Sequence, residues 1–70
     1  MNDFLDKMSQ ILEKPVTKDT LFREIEDYSS LKGFGILVTL ENDYNREMDI
    51  DEFLTMSTIG ELAAAAGVVD

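Results

Sequence analysis

Two adjacent serines are the residues of this chain best suited to chemistry. Ser29 and Ser30 stand between a polar turn that begins at Asp27 and an apolar run that continues to Tyr44. Serines in front of a helix usually serve as N-caps. The same position also exposes a hydroxyl beside free backbone N–H groups and the positive end of the helix dipole, which suits an attached phosphodiester. The spacing alone leaves both interpretations open.

Other kinds of chemistry lack the residues they need. The chain contains neither cysteine nor histidine, which excludes a thiol nucleophile and a serine–histidine triad and removes the commonest metal ligands. The segment from Asp43 to Asp49 superficially copies the start of a calcium loop. Met48, however, stands where the turn glycine belongs, and Leu54 replaces the bidentate carboxylate. We therefore expect neither an enzyme nor a specific metal site.

The charge of the chain restricts its partners. Six basic residues against 15 acidic ones give a net charge of -9, which argues against binding to nucleic acid or to an anionic membrane surface. A basic protein surface is the natural complement. Because Asp3, Asp6 and Lys7 interrupt the N-terminal apolar positions, we expect no signal peptide and a cytoplasmic protein. Residues 1–70 are expected to form one domain, acting as a monomer.

Hydrophobic periodicity in the first half of the chain predicts one helix and a long connection. The helix is predicted over residues 3–14, with Asn2 or Asp3 as N-cap and Pro15 as its end. The connection, residues 15–29, is expected to hold one helical turn near residues 20–25. Four apolar residues of the connection are expected to reach the core, namely Val16, Leu21, Phe22 and Ile25. Its polar stretches 17–20 and 23–27 are expected to stay in solvent.

The second half predicts two or three more helices, so that the fold is all-α with no strand. The second helix is predicted near residues 30–45, and residues 46–49 are predicted as a loop. A short third helix or a single turn is predicted over residues 51–56. A capping box at Thr58 and Glu61 predicts the start of the last helix, and Gly67 predicts its end.

The apolar residues of the second helix fall on two faces of an ideal helical wheel. One face is predicted to pack in the core, and it consists of Gly33, Ile36, Leu37, Leu40 and Tyr44. The opposite face holds Leu31, Phe34 and Val38, with Gly35 beside it. A chain of 70 residues can barely surround one helix. The second face is therefore either left for a partner or covered by the short remaining segments.

Several segments share the order and spacing of one known family. They are Ser30-Leu31, the apolar positions Phe34, Ile36, Leu37 and Leu40, the acid Glu41, the aromatic Tyr44, and then Ile50-Asp51-Glu52 and Ser57-Thr58-Ile59-Gly60. On these residues, the chain from about Ile25 to Leu62 resembles the acyl carrier protein family. In that family the serine of an Asp-Ser-Leu triplet receives a 4'-phosphopantetheine arm from coenzyme A. Here the triplet reads Ser29-Ser30-Leu31, so the resemblance implies a small three-to-four-helix bundle of the acyl-carrier type with the arm on Ser30.

The resemblance also implies a function and a set of partners. The arm would carry an acyl group as a thioester and present it to a loading enzyme and to acceptor enzymes, after a phosphopantetheinyl transferase has attached the arm. Those partners would contact the second helix at Leu31, Phe34, Val38 and Glu41.

Departures from the family pattern refine this expectation. Ser29 replaces the usual aspartate, and Lys32, Gly35 and Asn42 occupy positions that are often acidic. We therefore expect a specialised lipid or secondary-metabolite pathway rather than housekeeping fatty acid synthesis. Two alternatives remain, an aminoacyl or peptidyl carrier and an unmodified acidic helical adaptor that binds partners through the second helix.

Overall fold

The computed structural model describes residues 2–68 of the chain. In chain order, its elements are helix α1 (Asn2–Leu12), a 3-10 turn (Phe22–Glu24), helix α2 (Ser30–Tyr44), helix α3 (Ile50–Leu54) and helix α4 (Ile59–Ala65). The described residues contain no strand, and one isolated antiparallel bridge pairs Leu21 with Thr58. The prediction of a small all-α fold with three or four helices is confirmed. No helix within residues 2–68 has the length and apolar character needed to cross a membrane.

Helix α1 is shorter than its sequence predicts. It ends at Leu12 rather than near Pro15, because Glu13 adopts a left-handed conformation with φ 61°. The Ser9 hydroxyl accepts the N–H of Val16 at 3.2 Å and so draws the chain back towards the core. The predicted N-cap is also wrong, since both candidates, Asn2 and Asp3, lie inside the helix.

The connection between α1 and α2 contributes one large side chain to the core. Phe22 is fully buried, and its ring centroid lies 5.5 Å from that of Phe53 and 6.0 Å from that of Tyr28. Of the other three residues of this segment that were predicted to reach the core, Val16 is buried and Ile25 is half-buried, but Leu21 is 44% exposed. The prediction for Leu21 is therefore wrong, because its neighbour Phe22 occupies the core position.

Each helix turns one apolar face inward, and together these faces form a single core. The buried apolar residues are Phe4, Met8 and Leu12 of α1, Val16 and Phe22 of the connection, Ile36 and Leu40 of α2, Phe53 of α3, and Ile59, Leu62 and Ala63 of α4. Burial of this apolar surface is the main favourable contribution to folding. The core thereby fixes which side of α2 faces inward.

The predicted capping box of α4 is confirmed. The Thr58 hydroxyl accepts the N–H of Glu61 at 3.2 Å, and Glu61 Oε1 accepts the N–H groups of Ser57 at 2.8 Å and Thr58 at 3.0 Å. These backbone donors lower the pKa of the Glu61 carboxyl, because they stabilise its charged form. At the other end, Gly67 adopts φ 80°, a conformation that favours glycine, just after the helix ends.

Basic side chains close the carboxyl ends of three helices. Lys32, Arg23 and Arg46 each donate to backbone carbonyls at a helix end, where such groups lack intrahelical partners. The acceptors are Leu12 of α1 for Lys32, the residues Phe53, Leu54 and Met56 around the end of α3 for Arg23, and Ala65 of α4 for Arg46. The prediction that Arg23 stays in solvent is thus wrong, and half of the basic residues of the chain serve the fold.

Candidate functional site

The two serines have different roles at the start of α2. Ser29 is the N-cap, with an extended backbone and a hydroxyl that accepts the N–H of Lys32 at 3.5 Å. Ser30 is the first residue of the helix and is exposed. Among the described residues, none forms a hydrogen bond with the Ser30 hydroxyl. Capping therefore accounts for Ser29, whereas the Ser30 hydroxyl has no hydrogen-bond partner within residues 2–68.

The outward face of α2 begins directly after Ser30. Leu31 is 79% exposed and Phe34 is 64% exposed, whereas Val38 is half-buried. The alternative in which the remaining segments cover this face is therefore wrong at Leu31 and Phe34. Exposure of two large apolar side chains within one helical turn is typical of a contact surface.

The inward face of α2 agrees with its prediction. Gly33, Ile36 and Leu40 are buried, and the two flanking residues of the face, Leu37 and Tyr44, are half-buried against the core. The Tyr44 ring packs edge-on against Phe4 of α1, with 5.3 Å between centroids. The orientation of α2 is thus fixed by contacts on the side away from Leu31 and Phe34.

An open groove lies beside the outward face. Its volume is about 330 Å³, and it is lined by Phe34, Leu37, Val38 and Glu41 of α2 and by Glu47 and Met48 of the loop that follows. Ser30, Phe34, Leu37 and Glu41 are spaced by four, three and four residues, so they follow one stripe of the helix. The groove therefore begins one turn after Ser30, about 6 Å along the helix axis.

The two loop residues of this groove were not among the predicted site residues. Periodicity places residues of one helix relative to each other, but it does not place a loop beside that helix. The sequence signal for Met48 is a single apolar residue within an otherwise polar loop, and Glu47 has no signal of its own. Leu37 was predicted only as a core residue, and it reaches both the core and the groove.

The two glycines of α2 have different neighbours. A Cβ at Gly33 would collide with the Tyr28 hydroxyl and would lie 3.5 Å from the Phe53 ring, which confirms close packing on the inward side. Burial raises the pKa of the Tyr28 phenol, an effect that the Arg23 charge partly offsets. A Cβ at Gly35 would meet Ile11 of α1 at 3.4 Å. Gly35 therefore faces α1, and its predicted place beside the partner face is wrong.

Two lysines near α2 are held by acids. Lys32 Nζ lies 3.2 Å from Glu13 Oε2, and its side chain is only 16% exposed. Lys7 Nζ lies 3.2 Å from Asp43 Oδ2, and this hydrogen bond raises the pKa of the Lys7 ammonium. The charge of Lys32 is thus turned towards α1, so it does not weaken the negative charge of the outward face as the sequence suggested.

The acids of the groove are placed differently. Glu41 and Glu47 are exposed, and neither forms an ion pair with any residue in the range 2–68. Within that range no group of three or more acidic side chains is arranged so that it could hold a metal ion. The site therefore combines a free hydroxyl, an exposed apolar pair and two separate carboxylates.

Comparison of the chain with models of known protein families, with curated proteins and with solved structures finds no match. The observations that bear on function are the free Ser30 hydroxyl, the exposed side chains of Leu31 and Phe34, and the groove that follows them along α2.

Proposed function

We propose that this chain is an acyl carrier domain whose Ser30 hydroxyl receives a 4'-phosphopantetheine arm. The observation that carries the proposal is the position of Ser30. Its exposed hydroxyl stands at the first residue of α2, directly before the exposed Leu31 and one turn before the exposed Phe34. A transferase that contacts those two side chains would find the hydroxyl beside them.

The residues around Ser30 fit such a group. In the attachment step the Ser30 oxygen attacks the phosphorus of coenzyme A that bears the pantetheine chain, the bond from that phosphorus to the bridging oxygen breaks, and adenosine 3',5'-bisphosphate leaves while the transferase takes up the hydroxyl proton. The positive end of the α2 dipole favours the resulting phosphodiester. Once attached, the arm supplies a terminal thiol that holds an acyl group as a thioester.

Ser29 is compatible with this role although it replaces the aspartate of the family pattern. Serine and aspartate are both strong N-caps, and the Ser29 hydroxyl accepts the N–H of Lys32. The substitution therefore keeps the start of α2, and with it the position of Ser30, while removing one negative charge. Ser29, together with the uncharged Gly35 and Asn42, favours a specialised lipid or secondary-metabolite pathway. Robust acylation by general fatty acid synthesis enzymes would contradict that assignment.

The partner surface consists of Leu31, Phe34, Val38 and Glu41. Its apolar residues would supply contact area, and the net charge of -9 would guide basic partner surfaces during encounter. The partners are a phosphopantetheinyl transferase, an acyl-loading enzyme and acyl-acceptor enzymes. Docking is expected to be weak and transient, since the domain must leave each partner. The domain catalyses no step itself and acts by raising the effective concentration of its acyl group.

The test is intact mass after incubation with coenzyme A and a phosphopantetheinyl transferase, both a broad-specificity enzyme and the cognate one. The expected result is one added phosphopantetheine in the wild type and in Ser29→Ala, and none in Ser30→Ala. Modification that disappears in Ser29→Ala but persists in Ser30→Ala would move the attachment site and contradict the proposal. Circular dichroism of both variants shows whether a lost modification reflects unfolding.

A second candidate is an unmodified helical adaptor. The exposure of Leu31 and Phe34 favours it, because such a pair also suits insertion into a partner's apolar groove. A folded wild-type domain that gains no mass with its cognate transferase would make this candidate the better one.

A further inference from the structure

We infer that the groove beside α2 holds the acyl group of this carrier and selects a short acyl chain that bears a positively charged amine. The inference rests on the carrier function proposed above and names the cargo class of the same site. It follows from the position of the groove, from its lining and from the two carboxylates within it.

The position of the groove fits a cargo attached through Ser30. Phe34 lines its near end and follows Ser30 by one helical turn, and Glu41 lines its far end on the same stripe of α2. An arm on Ser30 is longer than the distance to the near end of the groove, so it can bend back along the helix and bring its terminal thioester there. No change in the packing of α2 is required, because the groove is open beside the packed helix.

The lining of the groove suits a short methylene chain. Phe34, Leu37 and Val38 form an apolar wall on α2, and Met48 faces them from the loop that follows. Burial of methylene groups against such a wall is favourable. The volume of about 330 Å³ lies at the small end of ligand sites, which range from about 300 to 1,000 Å³. A short chain fits this space better than a long fatty acyl chain.

The carboxylates define the charge of the cargo. Glu41 comes from the helix and Glu47 from the loop, so each side of the groove contributes one acid. Three of the six basic residues pair with other acids, since Lys32 pairs with Glu13, Lys7 with Asp43, and Arg46 with Glu52 at 2.5 Å. Two unneutralised carboxylates beside an apolar wall complement a chain that ends in an ammonium group. A plain acyl chain would use the wall but not the acids.

The test compares two cargoes of matched length on Ser30. A transferase loads the domain from 6-aminohexanoyl coenzyme A or from heptanoyl coenzyme A, which differ by an ammonium group in place of a methyl group. Two quantities are measured: the rate of thioester cleavage by hydroxylamine, relative to the same acyl group on free coenzyme A, and the methyl carbon shift of Met48 by NMR. Intact mass confirms loading before either measurement.

We expect the amine-bearing cargo to be cleaved about two- to fivefold more slowly than the neutral one, the size of effect given by partly exposed ion pairs. The Met48 signal should shift further with the amine. Both differences should vanish in Glu41→Gln/Glu47→Gln. They should persist in Asp19→Asn/Glu26→Gln, which removes two exposed charges that do not line the groove.

Two results would overturn the inference while leaving the carrier function intact. One is equal protection of the two cargoes on a domain that has gained the arm at Ser30. The other is a preference for the amine that survives unchanged in Glu41→Gln/Glu47→Gln. Failure of Ser30 to accept either group from the cognate transferase would overturn the carrier function as well, and it is seen in the mass before any cargo is compared.

Discussion

The two apolar faces of α2 look alike in the sequence and differ in the folded domain. Gly33, Ile36 and Leu40 are buried on one face, whereas Leu31 and Phe34 on the other are mostly exposed. Burying a side chain such as leucine or phenylalanine would contribute about 1.5–3 kcal/mol, a large amount for a domain of this size. Because Leu31 and Phe34 are mostly exposed, the domain lacks most of this contribution from both side chains. The inward face is therefore structural, and the outward face is available for contacts with other molecules.

Truncating one side chain on each face tests this difference, and it should give the largest difference in stability. Ile36→Ala removes a fully buried side chain and should lower the free energy of unfolding by about 2–5 kcal/mol. Phe34→Ala should change it by no more than about 0.5 kcal/mol. Urea denaturation followed by circular dichroism measures both. If Ile36→Ala does not fold, Ile36→Val should still cost about 0.5–1.5 kcal/mol. Equal losses on the two faces would contradict the assignment.

Arg23 tests how the inward side is held in place. Its guanidinium binds carbonyls around the end of α3, whose Phe53 ring packs beside Gly33 of α2. Arg23→Met removes the side-chain donor from those carbonyls, of which Phe53 keeps only backbone donors, and should lower the free energy of unfolding by about 1–3 kcal/mol. Lys14→Met is the matched control, since Lys14 is exposed, and it should change the same quantity by less than about 0.5 kcal/mol. Similar losses for the two variants would show that Arg23 does not anchor α3.

The two glycines of α2 give an effect of opposite sign. Gly35→Ala should raise the free energy of unfolding by up to about 1 kcal/mol, because alanine favours helix and its Cβ would make an ordinary contact with Ile11. Gly33→Ala should lower it, because the Cβ would displace the Tyr28 hydroxyl. In a Tyr28→Phe background the obstructing oxygen is gone, so Gly33→Ala should become neutral or stabilising. Stabilisation by Gly33→Ala in the wild type would contradict the packing described for the inward face.

The smallest expected effect concerns Glu61 in the capping box of α4. Glu61 has a structural role, unlike Glu41 and Glu47 of the groove. The folded pKa of Glu61 is lowered from its usual 4.5 by the backbone donors of Ser57 and Thr58. Its contribution to stability is therefore present above pH 4.5 and lost as the pH falls through the folded pKa. Glu61→Gln should have a lower melting temperature than the wild type at pH 7, and the difference should shrink as the pH falls below 4.5. A constant difference across this range would contradict the role of the charge.

Periodicity and capping residues were sufficient to predict the helical segments and the inward face of α2, but not the ends of α1 or the bounds of α3, which is Ile50–Leu54 rather than residues 51–56. The capping box at Thr58 and the serines before α2 mark helix starts through local hydrogen bonds, which the sequence encodes directly. Periodicity also predicted an outward face at Leu31 and Phe34, whereas Ser30 was predicted as a site residue from the family resemblance. Their exposure agrees with that prediction, while their function stays a prediction.

Features that depend on distant residues were not predictable in this way. The last carbonyl of α1, that of Leu12, accepts a hydrogen bond from Lys32, which lies 20 positions away in the sequence. Arg23 binds carbonyls 30 or more positions away, so its local sequence gave no sign of burial. The groove needs Met48 of the loop to line the same space as Val38 of α2, and no periodicity in the sequence encodes that arrangement.

The central claim is that the outward face of α2 presents Ser30 to partner enzymes. Its most direct test is the single-turnover rate at which the cognate transferase adds the arm to wild type, Phe34→Ala and Leu21→Ala, with Leu21 as an exposed apolar control outside α2. The rate should fall about tenfold or more in Phe34→Ala, as for a residue that anchors an interface, and should stay at the wild-type value in Leu21→Ala. A wild-type rate in Phe34→Ala, or an equal loss in both variants, would contradict the claim.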